Sequence, residues 1–172
     1  MAQKQQLDIF DFAINAERDG MNFYIKATEK FDNKAVKDSF RRLAEEEGKH
    51  IQTFLNIKAK LEKSGKVDPF TIGNVDEYLE TIIHDGLFPQ GEAAEKRLEK
   101  VEDVASACAV AMEAEKNAIL LYSELAKTAK DAEHREAFEK LAKEEKTHIV
   151  MLKQVRADND PRYAALAFGR FF

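Results

Sequence analysis

Two stretches, EEEGKH over Glu45–His50 and KEEKTH over Lys143–His148, decide how this 172-residue chain folds and what it holds. Each contains a Glu-x-x-His pair, Glu47 with His50 and Glu145 with His148. On an α-helix, residues three apart sit one turn along the same face, their Cβ atoms roughly 5–6 Å apart. A carboxylate and an imidazole so placed reach one metal ion. A lone pair of this kind is most often a solvated surface pair. Two pairs in a repeated context are stronger evidence.

The repeat extends well beyond the pairs. A shift of 98 positions (115 − 17) lays Ala16-Glu17 on Ala114-Glu115, Tyr24 on Tyr122, and Phe40-x-x-Leu43-Ala44 on Phe138-x-x-Leu141-Ala142. It also lays Glu46-Glu47 on Glu144-Glu145, His50-Ile51 on His148-Ile149, and Asn33 on Asp131. A repeated helical hairpin predicts pseudo-two-fold symmetry in the folded product. The half-sites Glu17/Glu47/His50 and Glu115/Glu145/His148 then face each other.

Composition agrees with helices. Charged residues make up 34% of the chain, and glycine and proline are scarce. That mixture favours long amphipathic helices over sheet. The net charge of −5 gives no electrostatic reason to expect nucleic acid or an anionic membrane as partner. The single Cys108 excludes an internal disulfide and any Cys-x-x-Cys metal knuckle. The N-terminus has no apolar signal region and no stretch approaches 18 apolar residues, so the expectation is a soluble cytoplasmic protein.

Periodicity predicts four long helices. The first runs from near Leu7 or Asp8 to about Phe31, and Glu17 interrupts its apolar stripe. The second spans about Lys34–Lys63 behind an Asp32-Asn33 turn and cap, and Glu47 and His50 interrupt its stripe. Residues 65–92 hold the prolines Pro69 and Pro89 and several glycines, with a short helical piece expected near Val75–Ile83. This stretch suits a crossover between parallel helices. The third helix is expected over Ala93–Ala129, and the fourth from an Asp131 cap to about Arg156. The fold class is therefore all-α, a four-helix bundle over residues 1–157 with a long crossover between the second and third helices and an apolar tail over 158–172. The aromatic tail (Tyr163, Phe168, Phe171, Phe172) is expected to dock on the bundle or on a second subunit.

A charge on an apolar helix face is costly unless paired or bound to metal. Four glutamates in a dry core repel one another and protonate, whereas two divalent cations cancel four carboxylates. Hard oxygen ligands with one imidazole per metal suit iron or manganese. Glu46 and Glu144 point about 100° away around their helices and are expected at the surface, as are His84 and His134. Cys108 is expected to be a small core residue.

The pattern Glu17…Glu47-x-x-His50…Glu115…Glu145-x-x-His148 resembles the ferritin-like di-iron carboxylate superfamily, in particular rubrerythrin-type and bacterioferritin-type proteins, over about residues 8–155. The resemblance implies two iron ions, which manganese or zinc can replace, bridged by Glu47 and Glu145. Glu17 with His50 completes one position, and Glu115 with His148 the other. It also implies a hydrogen bond from Tyr24 and Tyr122 to a ligand carboxylate; a core tyrosine satisfied elsewhere is the alternative.

Two departures qualify what the resemblance implies. No rubredoxin domain can be built with one cysteine, so an external electron donor such as a rubredoxin is expected. Rubrerythrins resemble one another in an extra glutamate one turn after the third-helix ligand, where this chain has Ala118. The implied function is reduction of H2O2 or O2 at a di-iron centre, in a homodimer or larger homo-oligomer. The alternatives are a ferritin-like ferroxidase and a non-catalytic helical interaction module.

Overall fold

The computed structural model describes residues 9–64, 81, 86–87, 101–129 and 131–168. Its elements are α1 (Ile9–Lys30), α2 (Lys34–Ser64), α3 (Val104–Thr128), α4 (Ala132–Asn159) and α5 (Pro161–Phe168), and there is no strand among the described residues. The architecture is the all-α, ferritin-like bundle that the hairpin repeat predicts. The expected crossover helix near Val75–Ile83 lies outside the described residues apart from Thr81, which is helical, and His84 lies outside as well.

The starts of α2, α3 and α4 each have a side chain to satisfy free N–H groups. Asn33 Oδ1 accepts from the backbone N–H groups of Ala35 at 2.9 Å and Val36 at 3.2 Å, opening α2. Asp131 Oδ1 does the same for α4 through Glu133 at 2.9 Å. The start of α3 corrects the expectation from sequence. It begins at Val104 rather than Ala93, and Val101–Asp103 are not helical. Asp103 and Ser106 form a capping box, with Ser106 N–H donating to Asp103 Oδ1 at 2.7 Å and Asp103 N–H to Ser106 Oγ at 3.2 Å. The good helix formers before Val101 mask that signal in the sequence.

The helix directions follow from which residues meet. The short turn 31–33 makes α1 and α2 antiparallel. Tyr24 meets Glu115 and Tyr122 meets Glu17, so α1 and α3 are antiparallel. Phe54 meets Phe138 and His50 meets Glu145, so α2 and α4 are antiparallel too. Hence α2 and α3 run parallel, the relation that a crossover between them requires.

Aromatic side chains fill the core on both sides of the buried polar layer. Phe54 of α2 touches a ring from each of the other three long helices, with centroids 6.4 Å from Phe10, 5.6 Å from Tyr122 and 6.1 Å from Phe138. On the other side, Phe40 stacks on Tyr24 at 6.1 Å and on Phe31 at 6.0 Å. His134, expected at the surface, is instead half-buried and edge-on to Phe10 at 5.9 Å. At the C-terminal end, Asp160 holds the Arg162 guanidinium at 2.9 and 2.5 Å, and Arg156 lies 4.1 Å over the Tyr163 ring, tying α5 to α4. Phe168 closes α5, whereas Phe171 and Phe172 lie outside the described residues. No helix among the described residues is long and apolar enough to cross a membrane.

Because Phe54 contacts all three partner helices, Phe54→Ala is expected to destabilise the bundle by about 3–5 kcal/mol. Urea unfolding read by far-ultraviolet circular dichroism measures this, and a loss below about 1 kcal/mol contradicts the packing described.

Candidate metal centre

The polar layer is built from four helices. Glu17 comes from α1, Glu47 and His50 from α2, Glu115 from α3, and Glu145 and His148 from α4. All six side chains are buried, with exposures between 1% and 3%. Each lies on the apolar stripe of its own helix, so the helix that buries its stripe buries them as well.

Both imidazoles turn Nδ1 inward. His50 Nδ1 lies 3.0 Å from Glu145 Oε1, 3.1 Å from Glu17 Oε2 and 3.2 Å from Glu47 Oε2. His148 Nδ1 lies 2.8 Å from Glu145 Oε2, and 3.5 Å from both Glu47 Oε1 and Glu115 Oε1. The two rings face each other at 5.4 Å, tilted by 19°. Two overlapping groups result, Glu17/Glu47/His50/Glu145 and Glu47/Glu115/Glu145/His148, and within each group the ligand atoms lie within 4.8 Å of one another. Glu47 and Glu145 belong to both.

Hydrogen bonding leaves part of this cluster unsatisfied. Glu47 Oε1, both oxygens of Glu145 and His148 Nδ1 are buried, and their close approaches to one another and to His50 Nδ1 are ion-pair contacts without the direction of a hydrogen bond. Orphaned buried acceptors are costly. Here they converge on common points, which is the arrangement a pair of cations would satisfy. Carboxylate oxygens with one imidazole per position fit divalent metal ions.

The tyrosines act across the bundle. Tyr24 of α1 donates its hydroxyl to Glu115 Oε1 on α3, and Tyr122 of α3 donates to Glu17 Oε1 on α1. Each tyrosine thus holds the glutamate of the opposite half-site. Burial pushes both phenols well above the ordinary tyrosine range, with Glu115 adding to the effect on Tyr24 and Glu17 on Tyr122, so they stay protonated donors.

Charges in the ion-free layer sort themselves by environment. Burial raises the carboxyls of Glu17 and Glu115 well above the usual range, reinforced by the charges of Glu47 and Glu145. Burial and the charge of Glu145 oppose ionisation of Glu47, and burial opposes it at Glu145. Contacts with Glu17, His148 and His50 outweigh this at Glu47, and contacts with His148, His50 and Glu115 at Glu145, so both carboxylates sit below the usual range. Burial alone would discharge the imidazoles. Contacts with Glu145 and its neighbours reverse this for His50, raising it, and contacts with Glu115 and Glu145 push His148 up to about 12. Cys108 is fully buried, and burial pushes its thiol up to about 12, which suits an inert core residue.

A family model described as Rubrerythrin matches residues 8–156. The chain belongs to the rubrerythrin family. No curated protein and no solved structure matches it. The family is an iron-binding one, which agrees with the buried Glu and His groups. The matched span ends shortly before α5 begins.

Two features escaped the sequence reading. The tyrosine bonds run crosswise between half-sites, which only the antiparallel pairing of α1 and α3 creates. Glu144, expected at the surface, is half-exposed and brings Oε2 to 3.4 Å from Nε2 of His50 on the other hairpin. Neighbouring Glu46 keeps to its own helix, paired with Lys49 at 2.8 Å.

Tyr24→Phe removes the donor to a buried carboxyl without changing shape. The expected cost to the ion-free protein is about 1–3 kcal/mol, measured by urea unfolding after chelation, and an unchanged midpoint contradicts the bond to Glu115.

Proposed function

We propose that this chain is a di-iron oxidoreductase that reduces H2O2 or O2 with electrons from an external donor such as a rubredoxin. The observation that carries it is the pair of overlapping buried ligand groups sharing Glu47 and Glu145. Glu17, Glu47, His50 and Glu145 hold one ion, and Glu47, Glu115, Glu145 and His148 the other. Manganese or zinc can take the same places, because the donors are hard oxygens and imidazoles. When bound, the two irons supply the two electrons that convert H2O2 to two waters with two protons.

The chain's own part is geometric and electrostatic. Glu47 and Glu145 belong to both ligand groups and would hold both ions at once. Tyr24 and Tyr122 hold Oε1 of Glu115 and of Glu17 and so fix the orientation of these two carboxyls. The aromatic layers on either side exclude bulk water. One cysteine cannot build a second, electron-delivering iron site of the Cys-x-x-Cys kind within these 172 residues, so the electrons must come from outside them.

A second reading, iron oxidation with Fe(II) as substrate, is favoured by one observation. Ala118, one turn after Glu115, is buried and carries no carboxylate, and buried Gly20 occupies the matching place after Glu17. Both half-sites then offer the same ligands, with none of the family's extra carboxylate on one side. Storage would further require assembly into a large homo-oligomer.

An anaerobic Fe(II) titration followed by O2 or H2O2 separates these readings. Saturation at two irons, with oxidation far faster by H2O2, is expected for the reductase. Continued uptake with rapid O2 oxidation indicates the ferroxidase. A chain that takes up no iron and melts at the same temperature with and without it is a helical interaction module, because an ion that binds only the native state must stabilise it.

Ion uptake is also expected to release protons. The raised carboxyls of Glu17 and Glu115 and the raised imidazoles of His50 and His148 carry protons at neutral pH without ions. Cations displace those protons, so affinity must fall as pH falls. Up to about four protons per two ions, two from carboxyls and two from imidazoles, should appear in weakly buffered solution. Glu17→Ala should lower the stoichiometry from two ions to one, whereas Glu145→Ala should weaken both positions. Equal effects of the two substitutions contradict the bridging role.

A further inference from the structure

The repeat makes the six inner residues symmetric, but the residues just outside them are not. Glu46 and Glu144 occupy matching positions, each beside a shared glutamate. Three residues later the halves differ, with Lys49 in the first and Thr147 in the second. Residues three apart on a helix are neighbours. Lys49 therefore captures Glu46 at 2.8 Å, and among the described residues no ion pair joins Glu46 to His148. Thr147 offers Glu144 no cation. Glu144 keeps a looser pair with Lys140 on its own helix, Oε1 at 3.7 Å, and brings Oε2 to 3.4 Å from His50 Nε2 on the other hairpin.

His50 Nε2 is itself buried and makes no hydrogen bond. Its ring presents Nδ1 to the cluster, so Nε2 is the nitrogen left to carry the proton when Nδ1 binds a cation. A closure of a few tenths of an ångström brings Glu144 Oε2 into hydrogen-bond range of that N–H. A carboxylate behind a metal-bound imidazole fixes its tautomer and orientation and strengthens its donor nitrogen. Glu144 is 38% exposed at its side chain, so its charge is held at the surface at little desolvation cost while reaching a fully buried ring.

We propose that Glu144 is a positioning residue for His50, and that it makes the two metal positions unequal, the Glu17/His50 position binding more tightly than the Glu115/His148 position. This rests on the two-ion reading above. The repeat gives equal ligands; the Lys49/Thr147 difference decides which outer carboxylate is free to cross between hairpins.

Co(II) is the probe, since its optical bands count the ions bound and its paramagnetic shift resolves imidazole N–H protons individually. The unaltered chain should bind two Co(II) ions in two steps. One exchangeable imidazole signal, assigned to His50 by its loss in His50→Asn, should exchange more slowly with solvent than the other. Glu144→Ala should weaken the first step by about 10–100-fold and speed exchange of the His50 signal. Glu144→Gln keeps an acceptor without the charge and should restore part of both effects. Lys49→Thr frees Glu46 and should slow exchange of the His148 signal and strengthen the second step. The ion-free Glu144→Ala chain should melt with the unaltered one, which separates positioning from folding. Unchanged steps and signals in both Glu144 variants overturn this inference alone. Failure of the unaltered chain to bind two ions overturns it together with the reading on which it rests.

Discussion

Everything in this bundle depends on keeping charge balanced in a layer from which water is excluded. Four carboxyls and two imidazoles are buried at the centre of the helices. Without ions, the layer balances itself: Glu47 and Glu145 are held ionised, the imidazoles are held protonated, and Glu17 and Glu115 are held neutral. Two negative charges meet two positive ones. With two divalent ions, four carboxylates meet four positive charges. Both states are neutral, so the core accommodates either without a large unpaired charge, which burial would make costly. Exchange of protons for cations is therefore the natural chemistry of this layer.

That exchange needs a scaffold that does not collapse when protons leave. The layer lies between aromatic packing on both sides, with Phe10, Phe54, Tyr122 and Phe138 on one and Tyr24, Phe31 and Phe40 on the other. Tyr24 and Tyr122 belong to both systems. Their rings pack with the phenylalanines, and their hydroxyls reach across to the glutamates of the opposite half. The packing thus transmits its rigidity directly to the ligands, and the hairpins are tied at the level of the site.

The internal symmetry is a property of the ligands and not of the whole molecule. Under the 98-residue shift (115 − 17), Phe10 falls on Cys108 and Phe54 on Leu152, so one side of the bundle carries rings where the other carries smaller groups. Lys49 falls on Thr147, and the outer glutamates diverge accordingly. Two halves built from one pattern keep what the ions require and vary in what surrounds it. Departures from the repeat therefore lie around the buried layer and not within it.

The hairpins, the four long helices, the caps at Asn33 and Asp131 and all six inner residues are legible in the sequence, because helical periodicity and a fixed repeat encode which residues share a face. The crossover between parallel helices follows as well, from the length of chain between two hairpins. The start of α3 was hidden because favourable helix residues precede Val101, and only the Asp103–Ser106 capping box reveals the boundary. The reach of Glu144 to His50 and the crossed tyrosine bonds were not legible, since they join residues of different hairpins. Periodicity places a side chain on its own helix to within a turn, and so the sequence determined which residues enter the layer. Which helix stands opposite, and which atoms meet across the gap, depended on how the two hairpins dock, and that was decided by tertiary packing alone.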